Sequence, residues 1–164
     1  MVEKNRVVRM ETSKGMMTLE LYAARAPKTV ERFMTAVNAG KYDGLKFHRI
    51  IKDFMIQGGD PQGTGTGGSS VKFEGSDVKH VPGVISMAAQ QAHVDQSDMQ
   101  FFIMTSTSDQ LDGSYTAFGH VTEGMDVLDA IASTPVAQAP WGERSRPLED
   151  VRMIKASEIL DQEK

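Results

Sequence analysis

Arg49 and Gln57 lie inside the apolar run FHRIIKDFMIQGGD, residues 47–60, where their chemistry does not match their neighbours. A guanidinium is a permanent cation with five N–H donors, and an amide offers both donors and an acceptor. Neither group breaks bonds unaided, but a held arginine with spare donors can stabilise charge or a lone pair that appears during a reaction. In a strand, residues two apart share a face. Phe47, Arg49 and Ile51 are then expected on one face, with His48 and Ile50 on the other. Met55 and Gln57 share a face, and Phe54 and Ile56 take the opposite one. If Lys52 and Asp53 make a turn, the two segments form a hairpin that brings Arg49 to Gln57. The amide oxygen would fix the guanidinium without neutralising it, whereas a carboxylate would hold it as an ion pair. The competing reading is an arginine at a sheet edge that sends its head into water. A second aromatic–polar run, QFFIMT, puts Gln100 and Phe102 on one face and Phe101 and Ile103 on the other. An apolar floor with a few donors is the usual make-up of a small-molecule or peptide site.

Other chemistries lack their equipment. The segment GTGTGG, 63–68, matches the dinucleotide pattern in form, but SSVKFEGSD follows it with no helical stripe. Without a helix N-terminus the glycines have no pyrophosphate to cradle. His48, His80, His93 and His120 are scattered, so no metal site is expected. No G-x-S-x-G elbow or G-x-x-x-x-G-K-[ST] loop occurs. Asp109 and Asp112, in SDQLDG, read as turn residues. No cofactor is expected.

The elements that must position these residues are short. RVVRMET (6–12) and MMTLELY (16–22) read as strands joined by a glycine turn. APKTVERFMTAVNAG changes period: Val30, Phe33, Met34 and Val37 form one helical stripe between Pro27 and Gly40. GVISMA, QFFIMT and YTAFGHVT read as further strands, and GMDVLDAIAST as a second helix with Met125, Leu128 and Ala132 on one side. PVAQAPWGERSRP (135–147) reads as a proline-rich loop. In LEDVRMIKASEIL, Val151, Met153 and Lys155 alternate as a last strand. Roughly eight closely spaced strands and two helices favour antiparallel pairing. Closure removes exposed edges, so the expected fold is mainly β, a closed eight-stranded barrel capped by two helices.

The chain has 164 residues, enough for one core, and residues 1–164 are expected to form a single domain. Its net charge of −4 and lack of a basic cluster argue against nucleic acid as a partner. It has no cysteine, no signal-like N-terminus and no apolar run long enough to span a bilayer. The expectation is a soluble, cytoplasmic monomer without a membrane partner.

The stretch FHRIIKDFMIQGGDPQGTGTGG resembles the signature of the cyclophilins, the cyclosporin-binding peptidyl-prolyl cis–trans isomerases. APKTVERFMTAVNAGKYDG, GVISMA, QFFIMT and LDGSYTAFGHVTEGMDVLDAI extend the resemblance over nearly the whole chain, and the short loops are similar to those of bacterial and simple single-domain members. The resemblance implies the barrel with two helices and isomerase activity without cofactor or metal. Position by position, it implies that Arg49 is catalytic and that Gln57 orients it. It makes Phe54, Met55, Phe102 and Leu111 the pocket for the proline ring. Ala88, Ala89 and Gln90 would meet the residue before proline, with Gln100, Gly65 and Thr66 along the neighbouring groove. Partners would be proline-containing peptides and folding proteins. The sequence departs where many vertebrate members have a tryptophan, here Gln110, which implies weakened cyclosporin binding. Tyr115 stands where those members have a histidine, on the pocket wall. The loop in MAAQQAHVDQSDMQFF is longer than theirs. Two functions compete: an isomerase, which the intact arginine favours, and a non-catalytic proline-binding module.

Overall fold

A computed structural model describes residues 4–65, 67–90, 95–140 and 142–160. Strands β1 (Arg6–Thr12) and β2 (Gly15–Leu21) pair as the expected hairpin, from Arg6 opposite Leu21 to Thr12 opposite Gly15. Val8, Met10, Met17, Leu19 and Leu21 are fully buried by their period of two. Helix α1 (Pro27–Asn38) carries proline in its first turn and buries Val30, Phe33, Met34 and Val37. No capping side chain precedes it; the Glu74 carboxylate instead accepts from the N–H groups of Lys28 (3.0 Å) and Thr29 (2.9 Å).

The chain continues through β3 (Arg49–Ile51), β4 (Met55–Gly58), β5 (Ser70–Val71), β6 (Val84–Ala89), β7 (Gln96–Met104) and β8 (Ala117–Glu123). Helix α2 (Met125–Ala132), strands β9 (Val136–Gln138) and β10 (Arg144–Pro147), and β11 (Met153–Ile159) complete it. The main sheet runs β11-β1-β2-β8-β6-β7-β4-β3, all antiparallel, with β5 attached to β7.

The expected closed barrel is instead a strongly curled half-barrel, open between β3 and β11. β3 has three residues, and the chain that approaches β11 is the segment before it. There Gly44 N–H donates to Met153 C=O, Met153 N–H to Leu45 C=O and Phe47 N–H to Val151 C=O, around the single bridge Lys46–Arg152. That contact is too short to become a ladder. The run 135–147, expected as a loop, holds the β9–β10 hairpin, which its prolines had concealed. The alternation expected in β11 fails at Lys155: the register slips beside Ile154, so Ala156 and not Lys155 is buried after Met153. In α2, Met125 is exposed and Leu128, Ile131 and Ala132 form the buried side.

The sheet has apolar packing on both faces. Ile50, Ile56, Ile85, Phe101 and Ile103 join the main core beneath α1. Met55, Val84, Ala88, Phe102, Met104 and Ala117 form a second cluster on the other face. Phe47 belongs to the main core, edge-on to Phe101, and does not share the face of Arg49. Regular strand begins only at Arg49, so the alternation assumed for Phe47 does not reach it.

Candidate active site

The turn between β3 and β4 contains Asp53 in the left-handed region (φ 62°), and it sets Arg49 opposite Gln57. Arg49 Nη1 donates to Gln57 Oε1 at 2.9 Å. Gln57 Nε2 donates to Gln100 Oε1 at 3.2 Å, and Gln100 Nε2 donates to the carbonyls of Gly65 (3.1 Å) and Gly67 (3.3 Å). A directed relay therefore runs from the guanidinium to the glycine loop. The Arg49 side chain is 32% exposed and tied down, so it is not a head released into solvent.

Gln57 is not its only anchor. Glu143, from the tip of the β9–β10 hairpin, accepts from Arg49 Nε at 2.8 Å (Oε1) and from Nη2 at 2.9 Å (Oε2). The expectation that an amide alone holds the arginine un-neutralised is thus corrected: a carboxylate grips it in bidentate fashion as well. No local signal announced this partner, which lies 94 positions away in a run read as loop.

Phe54, Met55, Phe102, Leu111 and Tyr115 come together in the outer cluster, on the face that also carries Arg49. Phe54 sits in the turn and not in β4, which frees it from the alternation that placed it with Ile56. The Phe102 ring meets Tyr115 edge-on (6.0 Å) and stacks on His80 (5.9 Å). His80 Nδ1 lies 3.0 Å from Asp112 Oδ1, and its Nε2 lies 2.9 Å from Ser86 Oγ. This has the composition of a nucleophilic triad, but His80 and Ser86 are both fully buried and no substrate can reach them. Burial pushes the His80 imidazole below its ordinary pKa, although the Asp112 carboxylate pulls the other way. The neutral ring makes a rigid backing for Phe102.

A groove of about 1030 Å³ opens beside this cluster, lined by Gln57, Gly65, Ala88, Ala89, Gln90 and Gln100, all of them expected site residues. Ala88 belongs to both the groove and the apolar cluster. Ser69, Ser70, Asp95 and Ser97 also line it, and nothing in their local sequence marked them. Gln110 is exposed on the short turn Asp109–Leu111 and joins neither the groove nor the cluster. Thr66 lies outside the described residues.

Asp60 shapes the loop that forms the groove's rim. Its fully buried carboxylate accepts from the N–H groups of Gln62 (2.8 Å), Thr64 (3.1 Å), Gly65 and Gly67 (3.0 Å). Burial would raise its pKa, and these donors together outweigh that and hold it below the usual carboxylate range. The amides that a nucleotide phosphate would need are already taken. A Cβ on Gly67 would stand 2.0 Å from Asp60 Oδ1, and one on Gly59 2.7 Å from the Met99 carbonyl. Those two close approaches explain why glycines follow the apolar run. Among the described residues no cluster of acids and histidines could hold a metal ion.

The family profile described as cyclophilin type peptidyl-prolyl cis–trans isomerase/CLD matches residues 7–158. The chain is 44% identical over 163 residues to peptidyl-prolyl cis–trans isomerase-like 1 of Neurospora crassa, covering 95% of this chain and 96% of that protein. The human protein of the same name is 43% identical over 156 residues, covering 91% and 90%. Among solved structures, a cyclophilin type peptidyl-prolyl cis–trans isomerase of Cryptosporidium parvum superposes with a TM-score of 0.86 at 30% identity, covering 96% of this chain and 99% of that one. The same protein solved in the presence of the dipeptide Ala-Pro gives 0.84, again at 30% identity, covering 94% and 99%.

Proposed function

The chain belongs to the cyclophilin-type peptidyl-prolyl cis–trans isomerases and is an isomerase of Xaa-Pro bonds, and we propose that Arg49 is its catalytic residue. The observation that carries this assignment is the guanidinium fixed by Gln57 on the same face as the apolar cluster of Phe54, Met55, Phe102, Leu111 and Tyr115. The substrate proline ring occupies that cluster, and the preceding residues run along the groove past Ala88, Ala89, Gln90 and Gln100.

Rotation about the peptide bond faces a barrier of roughly 18–20 kcal/mol because the amide nitrogen shares its lone pair with the carbonyl. Twisting the bond ends that sharing, and the proline nitrogen becomes an acceptor. A donor aimed at it forms a hydrogen bond that the planar ground state does not offer, so the transition state gains more than the substrate does. Among the described residues, three of the five N–H donors of Arg49 go to Gln57 and Glu143, which leaves two for the substrate. The aromatic walls exclude water and strengthen the contact. No covalent bond breaks, so neither nucleophile nor cofactor is needed. In this reading unfolded and folding proteins are the substrates, and the isomerase acts on them as a cytoplasmic monomer with no nucleic-acid or membrane partner. Gln110 is exposed and adjoins Leu111 of the cluster where many vertebrate members carry tryptophan, and the missing indole supports weakened cyclosporin binding.

Exchange NMR on an Xaa-Pro peptide tests the assignment. The wild type accelerates cis–trans exchange, and a folded Arg49→Ala variant loses most of that acceleration. Peptide binding without acceleration in the wild type would leave a proline-binding module.

A further inference from the structure

Glu143 is the one residue gripping Arg49 that neither the local sequence nor the sheet register anticipates. Its carbonyl and the neighbouring backbone are hydrogen-bonded within the hairpin. Ala139 N–H donates to Glu143 C=O (2.6 Å), Gly142 N–H donates to Ala139 C=O (2.9 Å), and Gln138 Nε2 donates to Gly142 C=O (3.0 Å). Ala139 and Ser145, on either side of the tip, are buried and anchor the hairpin. These contacts brace the described residues of the hairpin, from which one carboxylate meets one guanidinium.

We propose that Glu143 is a positioning residue for isomerisation: it clamps the Nε–Nη2 edge of Arg49, aims the two remaining donors and cancels the guanidinium charge toward the substrate. The inference rests on Arg49 being catalytic. Two consequences follow from the geometry. Gln57 alone holds Nη1 and leaves the guanidinium able to pivot about that contact, whereas the bidentate pair fixes its plane. A bare arginine on the face of the proline cluster would also favour peptides with acidic residues beside proline. With Glu143 in place the pair is neutral overall, and the site accepts proline segments without selecting their charge.

The test compares wild type, Glu143→Gln and Glu143→Ala, each with its melting temperature, on two peptides differing only in Glu or Lys after proline. Exchange NMR gives kcat and KM, and the 15N-resolved Nε–H signal of Arg49 reports on the clamp. The expected result is a fall of about three- to tenfold in kcat in both variants. The kcat/KM ratio of acidic over basic peptide rises about threefold or more at low salt, and the slowly exchanging Nε–H signal is lost. Wild-type kcat with an unmoved charge ratio overturns the proposal. So does a fall in kcat with the ratio and the Nε–H signal unchanged, which marks a merely structural effect. If Arg49→Ala keeps full acceleration, the catalytic assignment fails instead, and the Nε–H comparison still reports whether the clamp exists.

Discussion

Gln100→Glu tests the relay between the arginine and the groove with almost no change of shape. Gln100 is buried and occupies both ends of its amide: Oε1 accepts from Gln57, and Nε2 donates to Gly65 and Gly67 carbonyls. A glutamate still accepts from Gln57 but donates nothing while ionised, so two carbonyls face an anion. Two lost hydrogen bonds at about 1 kcal/mol each, plus burial of an uncompensated charge, give about 2–4 kcal/mol of destabilisation at neutral pH. Protonating the new carboxyl returns one donor. Its folded pKa is therefore raised, and the sign follows: the penalty is small below the ordinary glutamate pKa of about 4.3 and grows as pH rises through the folded value. If the relay steadies Arg49 by one hydrogen bond, kcat/KM falls about fivefold. Urea unfolding of mutant and wild type from about pH 4 to 8, with exchange NMR at neutral pH, reads both effects. A penalty below about 0.5 kcal/mol at pH 7, or one that does not shrink on acidification, would refute the reasoning.

Three further outcomes are expected. Asp60→Asn keeps one acceptor oxygen but turns its NH₂ toward backbone donors, so roughly 3 kcal/mol is lost and amide exchange at Gly65 and Gly67 speeds up; unchanged exchange would count against Asp60 as the organiser of that loop. Burial lowers the pKa of both His48 and His80, so the unfolded chain takes up protons first and stability falls as pH drops below about 6.5. Each imidazole contributes at most about 1.4 kcal/mol per pH unit, and a urea midpoint that stays level between pH 7 and 5 would contradict the assignment. Gln110→Trp is expected to raise cyclosporin affinity about tenfold or more with kcat/KM nearly unchanged, measured by calorimetry; no gain in affinity would count against position 110 as a determinant of cyclosporin binding.

Much of the site was legible because its residues sit in strands, where period two sorts side chains without any knowledge of the fold. Gln100 and Phe102 could be assigned to one face from spacing, and Arg49 to the neighbourhood of Gln57 from a turn expected at Lys52 and Asp53, which the structure extends to Phe54 and so sets the exact register. The helical stripe of α1 and its proline start were equally plain. Alternation misled wherever regular strand stopped: at Phe47 before β3, at Phe54 in the turn and at Lys155 beyond the slip in β11. The Ser86–His80–Asp112 chain was invisible because its members lie on three separate segments.

What the amino-acid order determined by itself is what depends on near neighbours: strand faces, helix stripes, the β3–β4 hairpin and the family signature around Arg49. What only the tertiary structure decided depends on segments far apart meeting in space. Closure of the sheet turned on whether β3 could extend to β11, and its three residues could not. The charge state of the site turned on a hairpin tip that brings Glu143 to Arg49. Local periodicity encodes which way a side chain points, but the partner it meets is set by how distant elements pack.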